Sequence, residues 1–250
     1  MRPIDYSIHY SRFHDDSDAH AETMAGGLRN LLASHLPGKR DSAILDVGCG
    51  YGFALRALRG LGYTALKGLE ISPQQAERGR GTGFDVEIVV DTATWLHAHP
   101  SCYDCVLLLD VLEHVPMAAQ IDLLHAILVA LKPGGRIVLT TPNANSILAS
   151  RWRYIDYTHH GSFTEHSLYF VLKNAGFESI MIDASKGIGR MPRRLWRRDM
   201  RLAWRKWFVR WCWLQVHKAE IPWEKIEHIS FELNLLAVAE KAAAGPGPDK

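Results

Sequence analysis

The sequence predicts an α/β protein in which a mostly parallel β-sheet is covered by helices on both faces. From about residue 43 onward, short apolar runs alternate with helical patterns, and Gly or Pro residues separate them. This alternation is typical of parallel strands joined by crossover helices. The 250 residues are 47% hydrophobic and 22% charged, a composition that supports one sizeable core and excludes a disordered chain or a small disulfide scaffold.

Each element is predicted from its apolar period and its end signals. The predicted strands are 43–47, 65–71, 86–90, 103–110, 136–141, 177–183 and 229–240. The predicted helices are 19–36, one that begins at Phe53, 73–80, 118–131 and 164–174. In domain terms we expect an N-terminal helical segment (1–40), one main domain (41–241) with an insertion at 186–225, and a loose tail (242–250).

Acidic residues end three of the first four predicted strands. Glu70 ends the second strand, Asp91 follows the third and Asp110 ends the fourth. In parallel sheets ligands bind outside the carboxyl ends of the strands, so these acids are expected to lie at one site. They favour a ligand that carries hydroxyl groups, amino groups and positive charge.

A glycine-rich turn, Asp46-Val-Gly-Cys-Gly-Tyr-Gly52, follows the first predicted strand. Glycines let a ligand approach the backbone closely, and the start of the next helix favours an anionic group such as a carboxylate. Glu70 lies twenty residues after Gly50, where a carboxylate can accept hydrogen bonds from a ribose diol. The spacing of the glycines alone also fits an ordinary turn between a strand and a helix. The glycine-rich turn and Glu70 together fit any nucleoside cofactor, including NAD.

Four segments occur in a recognisable order: Ile44–Gly52, Gly68–Ser72, Tyr103–Pro116 and Leu131–Gly135. Together they resemble the class I S-adenosylmethionine (SAM)-dependent methyltransferases. The resemblance implies a Rossmann-like sheet of seven strands, mostly parallel, with helices on both faces. It also implies that the last strand is antiparallel and lies between the fifth and sixth. The residues themselves predict a helical insertion before that strand, where the minimal fold has only a turn. SAM becomes the expected cofactor, and a dinucleotide dehydrogenase becomes the minor alternative.

The resemblance further implies which residues surround the cofactor. We expect Asp46, Gly48 and Gly50 at the methionine part, Glu70 at the ribose hydroxyls, Ile71, Asp91 and Thr92 at the adenine, and Asp110 with Val111 near the amino-acid end or the methyl group.

Residues 153–168 form the expected acceptor side of the site. Their Tyr-x-Asp-x-Thr-His and Phe-Thr-x-x-Ser-Leu patterns resemble a methyltransferase subgroup found in polysaccharide and O-antigen biosynthesis, although enzymes that act on small molecules share parts of them. Since this loop follows the fifth strand, it is expected to reach over the mouth of the site. Tyr154, Asp156 and His160 are the expected substrate-binding residues, and Asp156 could equally cap a turn.

Two histidines are candidates for proton transfer. An alcohol acceptor must lose its proton, and a neutral imidazole can take it near pH 7. We predict that His159 is the base or orients the acceptor, with His114 as the second candidate. His159 could equally hold the loop in place by hydrogen bonds.

A basic, Trp-rich segment departs from the rest of the chain. Residues 186–218 contain eleven Lys or Arg and one acid, which gives +10, and the chain total of +2 leaves −8 for the remainder. With a helical period, Trp204, Trp207 and Trp211 share a face with Trp196, and most arginines lie elsewhere. Such a helix could lie on a membrane surface, pack as a lid or form a dimer interface. Nucleic-acid binding is the least expected use.

The function predicted at this stage is SAM-dependent O-methylation of a sugar hydroxyl in a glycan or lipid-linked saccharide. The alternatives are a methyltransferase that acts on a quinone-like or other small molecule and a non-catalytic scaffold with the same fold. No metal is expected, because the Cys102/Cys105 pair lacks the further ligands of a zinc site. The N-terminal residues lack a secretory signal, so we expect a cytoplasmic protein, peripheral at the inner face of the membrane if the basic segment binds lipid.

Overall fold

The computed structural model describes residues 12–15, 17–183, 198–223 and 229–243. Its strands are β1 (Ile44–Val47), β2 (Leu66–Glu70), β3 (Val86–Ile88), β4 (Tyr103–Leu109), β5 (Leu131–Pro142), β6 (Glu178–Asp183) and β7 (Asn234–Glu240). Its α-helices are α1 (Asp18–Leu32), α2 (Phe53–Gly60), α3 (Pro73–Gly81), α4 (Thr92–His97), α5 (Met117–Ala130), α6 (Ala149–Tyr154), α7 (Glu165–Asn174) and α8 (Arg198–Glu220). Predicted features at 1–11, 184–197, including Trp196, and 244–250 lie outside the described residues.

The seven strands form one sheet in the order β3-β2-β1-β4-β5-β7-β6. Strands β1 to β5 pair in parallel, whereas β7 runs antiparallel to both β5 and β6. The predicted fold class is therefore confirmed, including the antiparallel last strand between the fifth and sixth. Within the described residues, no helix combines the length and the apolar character needed to cross a lipid bilayer.

Successive residues of β4 show why both faces of the sheet are covered. Val106 and Leu108 pack in one core with α5 and α7, and Cys105 and Leu107 pack in a second core with α1 and α2. All four are fully buried, as expected for a strand that alternates between two covered faces. The two layers of helices leave the carboxyl ends of the parallel strands as the edge on which a site can form.

Several predicted boundaries are wrong for identifiable reasons. The first helix ends at Leu32 rather than residue 36. Strand β5 begins at Leu131, because Leu131 already pairs with Tyr103 and residues 132–135 bulge before the ladder resumes at Arg136. Strand β7 begins at Asn234 rather than residue 229, because its ladder starts opposite Pro142, where β5 ends. The short helices α4 and α6 were not predicted.

Candidate active site

The glycine-rich turn after β1 takes the backbone shape that its sequence predicts. Gly48, Gly50 and Gly52 all have positive φ, between 54° and 81°, which favours residues without a Cβ. A Cβ on Gly48 would lie 2.6 Å from Cγ2 of Val111. The turn is thus packed against the chain that follows β4, and two of the predicted cofactor residues, Gly48 and Val111, meet there.

Asp46 is the buried acid of this site. It is 2% exposed, and its Oδ2 atom is buried without a hydrogen-bond partner. Burial, with a smaller contribution from the charge of Glu70, raises the pKa of Asp46 to about 7 from its ordinary 3.8. A buried acceptor atom without a donor is costly to the protein, so this oxygen is suited to a ligand that donates a hydrogen bond or carries positive charge.

Glu70 connects the end of β2 to the glycine-rich turn. One carboxylate oxygen accepts a hydrogen bond from the backbone N–H of Gly50 at 2.8 Å, and the other accepts from the N–H of Ser72 at 2.9 Å. These two bonds fix the side chain at the edge of the sheet. Each oxygen has a further lone pair, so the predicted contact with two ribose hydroxyls is compatible with this geometry.

The residues predicted at the adenine lie on the outer part of the site. Ile71 is 48% exposed, as expected for an apolar side chain that a ring could cover. Asp91 caps α4: its carboxylate accepts from the backbone N–H of Thr94 at 3.0 Å and from the Thr94 hydroxyl at 2.7 Å. These hydrogen bonds lower the pKa of Asp91. Roles for Ile71, Asp91 and Thr92 at the adenine stay predictions.

Asp110 follows β4 with a left-handed backbone, at φ 52°. Its Oδ1 accepts hydrogen bonds from the Thr140 hydroxyl and from Nδ2 of Asn234, both at 2.9 Å. Burial among protein atoms raises the pKa of Asp110, and the bond from Thr140 opposes that rise, although part of its surface opens to solvent. Strand ends of β4, β5 and β7 thus hold this acid in one place.

The two candidate bases, His114 and His159, lie side by side. Their rings meet edge to face with centroids 4.6 Å apart. The Nδ1 of His159 lies 3.2 Å from the carbonyl oxygen of Trp152, which can only accept, so this Nδ1 carries the proton. The lone pair of His159 is then on Nε2.

The tautomer of His114 is set by a chain of two hydrogen bonds. The Thr158 hydroxyl donates to Asp156 at 2.7 Å, so its oxygen must accept from Nδ1–H of His114 at 2.8 Å. His114 therefore also has its lone pair on Nε2. In their neutral forms both imidazoles present Nε2 as the acceptor, His159 from the loop that follows β5 and His114 from the turn that follows β4.

The three predicted substrate-binding residues have different surroundings. Tyr154 is 76% exposed at the end of α6, with the Arg153 guanidinium over its ring. His160 is exposed, and its backbone N–H donates to the Glu113 carbonyl. Asp156 is 6% exposed, and its Oδ1 accepts from both the N–H and the hydroxyl of Thr158. Asp156 thus supports the loop from within, and substrate contacts for all three stay predictions.

Among the residues that the structure describes, one group could hold a metal ion. It consists of Glu113, His114 and His159. Their possible ligand atoms lie within 4.8 Å of one another. Burial and the nearby charge of Asp110 raise the pKa of the Glu113 carboxyl well above its ordinary value. The cysteine pair that the sequence offers, which was not expected to bind metal, is divided: Cys105 is buried in the core and Cys102 is exposed.

Sequence reasoning missed three supporting residues. Thr158 lies inside the recognised loop, and its place between an acid and a histidine was the available signal. Thr140 carries no such signal. Asn234 also donates to Asp110 and accepts from Nε1 of Trp152 at 3.0 Å, contacts that join residues 124 and 82 positions apart. Only the folded chain brings Asn234 to the site.

The fold and the site define a class of protein: a methyltransferase of the Rossmann-like type. A family model described as a methyltransferase domain matches residues 18–181, more than half of the chain. The chain therefore belongs to this methyltransferase family, and its cofactor is SAM. The scaffold alternative is not supported by this finding.

Curated relatives are similar to one part of the chain. A protein named ubiquinone biosynthesis O-methyltransferase from Thiobacillus denitrificans is 36% identical over 117 residues, which are 44% of this chain and 47% of that protein. Its counterpart from Burkholderia thailandensis is 35% identical over the same length, 45% of this chain and 48% of that protein. The chain thus spans about half the length of the curated relatives it matches.

Solved structures share the fold over nearly the whole chain. A SAM-dependent methyltransferase from Archaeoglobus fulgidus has a TM-score of 0.67 at 19% identity and covers 95% of this chain and 100% of its own. A phosphoethanolamine N-methyltransferase from Haemonchus contortus, in complex with SAM, has a TM-score of 0.60 at 15% identity and covers 97% of this chain and 61% of its own. At these identities the likeness shows the fold alone.

The residues at the edge of the sheet fit SAM. The oxygen of Asp46 without a partner suits a cationic ligand, and the positive-φ glycines leave backbone that a ligand can approach. The Glu70 carboxylate beside Gly50 suits a ribose diol. The individual contacts stay predictions, while the class of cofactor is confirmed.

Proposed function

We propose that this protein is a SAM-dependent O-methyltransferase that acts on the hydroxyl of a quinone-like or other aromatic small molecule. The observation that carries the proposal is the pair of histidines, His114 and His159, whose protonated Nδ1 atoms are both engaged. Two curated relatives, named as ubiquinone biosynthesis O-methyltransferases, support this acceptor class over the saccharide that the sequence analysis preferred.

The chemistry requires a positioned acceptor and a place for its proton. When bound, SAM would supply a methyl group from its positively charged sulfur: the C–S bond would break as the acceptor oxygen forms the new C–O bond, and a neutral thioether would leave. The protein holds the acceptor oxygen within reach and removes its proton, and much of the rate comes from this positioning. A phenol, with a pKa of about 10, gives up its proton to an imidazole more readily than a sugar hydroxyl does.

The roles of the two histidines follow from their supports. We assign His159 as the base, because its Nδ1–H donates to a backbone carbonyl that holds the ring in place. His114 orients the acceptor, and it takes the proton when His159 is absent. The orientation of the His114 ring depends on Thr158 and Asp156. The proton then rests on Nε2 of the imidazole until solvent removes it.

Labelled methyl transfer to separate acceptor pools tests the acceptor class. The pools contain hydroquinones and catechols, soluble sugars and sugar nucleotides, and lipid-linked saccharides, each incubated with methyl-labelled SAM. We expect label in the phenolic pool. Label confined to a saccharide pool would contradict the proposal and restore the glycan hypothesis, and no label in any pool would favour the scaffold.

Substitution of the histidines tests the base. His159→Gln should lower kcat by about 10²- to 10⁴-fold and leave the Kd for SAM unchanged, since general-base catalysis contributes on this scale. His97→Gln, at an exposed position on α4, is the matched control and should keep full activity. A His159→Gln variant with wild-type kcat would remove His159 from the mechanism.

A further inference from the structure

Helix α8 lies in the connection between β6 and β7 and is attached to the carboxyl edge of the sheet. On its inner side, Nε1–H of Trp213 donates to the carbonyl of Asn145 at 2.9 Å. The Arg210 guanidinium pairs with the carboxylate of Glu232, just before β7. Asn145 follows β5 by three residues, so these contacts place the helix beside the segment that carries the acceptor loop.

The structure divides this helix differently from the sequence analysis, which separated aromatic residues from arginines. Trp213 and Arg210 both face the protein. The outer side keeps five large apolar residues that are 42–56% exposed: Leu202, Phe208, Val209, Trp211 and Val216. The Phe208 ring stacks with that of Trp204 at 5.4 Å. A concentration of exposed apolar side chains of this size marks an interaction surface.

The exposed charges on the same helix are mostly basic. Among its described side chains, Arg201, Arg205, Lys206 and Lys218 are exposed, and the one exposed acid is Glu220, the last residue of the helix. Basic side chains interleaved with aromatic ones are typical of helices that lie in the headgroup region of anionic lipids. Each such residue near the surface adds electrostatic attraction to the anionic headgroups.

Exposed apolar side chains continue from α8 onto the acceptor segment. Leu148 and Tyr154, at the two ends of α6, are 46% and 76% exposed, and Tyr157 is 97% exposed. The Trp213–Asn145 hydrogen bond joins the helix to the beginning of this segment. The basic helix is therefore attached to the same segment that carries these exposed side chains and the expected acceptor residues.

We propose that the outer face of α8 binds the surface of an anionic lipid bilayer, with the helix parallel to the membrane and its apolar side chains at the headgroup boundary. Charge favours this occupant over a second copy of the chain. In a twofold symmetric dimer the same mostly basic face is present on both sides of the interface, which would bring an excess of positive charge together. A bilayer of anionic lipids supplies the opposite charge and an apolar interior.

Vesicle co-sedimentation tests the proposal directly. The full chain is mixed with vesicles of phosphatidylcholine and phosphatidylglycerol, or of phosphatidylcholine alone, at low and high NaCl. We expect sedimentation with the anionic vesicles only, and a decrease at high salt because salt screens the basic side chains. No sedimentation with anionic vesicles at low salt would overturn the proposal.

Paired variants locate the contact. The double variant Phe208→Glu and Trp211→Glu should lower vesicle partitioning by roughly tenfold or more, which corresponds to about 1.4 kcal/mol. Phe170→Glu, at a 61% exposed position on α7, is the matched control and should bind as the wild type does. Wild-type partitioning of the double variant would contradict the proposal, as would a dimer of the wild type in sedimentation analysis that this variant dissociates.

The test is separable from that of the proposed function. Methyl transfer to soluble phenols is measured without vesicles, and SAM binding by the double variant shows that it is folded. Loss of vesicle binding with intact transfer supports α8 as the lipid contact. If the protein binds vesicles but does not methylate phenols, the proposed lipid contact is supported and the proposed acceptor class is contradicted.

Discussion

Asp46 shows how a single residue couples stability to ligand binding. Its carboxyl is buried, and its pKa is raised to about 7, so the folded protein holds this proton more tightly than the unfolded chain does. Protonation therefore stabilises the folded protein. This contribution is fully present below about pH 4 and is lost as the pH rises through about 7.

The first prediction concerns this residue. Because SAM is cationic, its affinity should rise as the pH increases from 6 to 8 and Asp46 ionises. In Asp46→Asn the pH dependence should disappear and SAM binding should weaken. The free energy of unfolding at pH 8 should rise by up to about 4 kcal/mol, the equivalent of about three pKa units.

Calorimetric SAM titrations and chemical denaturation across this pH range measure both effects. Glu70 on β2 and Cys49 in the turn interact electrostatically with Asp46. The exposed Glu77 on α3, which pairs with Arg80, provides a control site, Glu77→Gln. A SAM affinity that falls with rising pH in the wild type would contradict the account.

The second prediction concerns Thr158, which fixes the His114 ring. Thr158→Val keeps the shape but removes the oxygen that accepts from Nδ1–H. We expect kcat for a phenolic acceptor to fall by about 10- to 100-fold, as is common when the partner of a functional histidine is removed. The Kd for SAM should not change. Thr158→Ser keeps the hydroxyl and should retain most of the activity.

Comparison of the two Thr158 variants separates positioning from structure. If the residue only filled space, Val would be the better replacement and Ser the worse. Equal kcat for Val and Ser would therefore argue against a role through His114.

At the scale of secondary structure, α1 contains a glycine with no structural need for it. Gly27 lies in the interior of the helix, and a Cβ there would meet nothing within 4 Å. The third prediction is that Gly27→Ala raises the free energy of unfolding by about 0.5–1 kcal/mol, because alanine favours the helix. Urea denaturation measures the change.

Gly48→Ala is the opposite case. Its φ of +73° and the contact of its Cβ with Val111 predict a lower free energy of unfolding and weaker SAM binding. A higher free energy of unfolding for Gly48→Ala, or a lower one for Gly27→Ala, would contradict the effects expected from the backbone conformation at these two residues.

The elements that could be predicted from the sequence are those with a strong period or a strong end signal. β4 and α5 were found because their apolar residues repeat over seven or more positions. The helices α4 and α6 were missed because each has only six residues, too few for a helical period to show. The cap of α4 was visible as Asp91, but it was interpreted only as a ligand contact.

At the scale of the whole molecule, the sequence carries stronger local signals for the proposed cofactor side of the site than for the acceptor side. Asp46, Gly50 and Glu70 lie in local motifs, whose chemistry depends on a turn and two adjacent strands. The acceptor side depends on contacts such as Asn234 with Asp110, which arise only when β7 inserts beside β5. No local pattern encodes such a contact, so the support of Asp110 became visible only in the fold.

The same long-range contacts bring the proposed functional parts of the molecule to one edge of the sheet. The cofactor residues, the paired histidines and the inner contacts of α8 all lie at the carboxyl edge of the sheet. The proposed lipid contact and the proposed active site therefore share one side of the protein, which suits an acceptor of low solubility in water.

The proposed cofactor site is best tested by calorimetric titration of SAM into the wild type and into Glu70→Gln. We expect saturable binding by the wild type and an affinity lower by about tenfold or more in Glu70→Gln, because an amide replaces the carboxylate that is predicted to accept the ribose hydroxyls. Gly27→Ala should titrate as the wild type does. No binding by the wild type, or equal affinity in Glu70→Gln, would contradict the placement of the cofactor at this edge of the sheet.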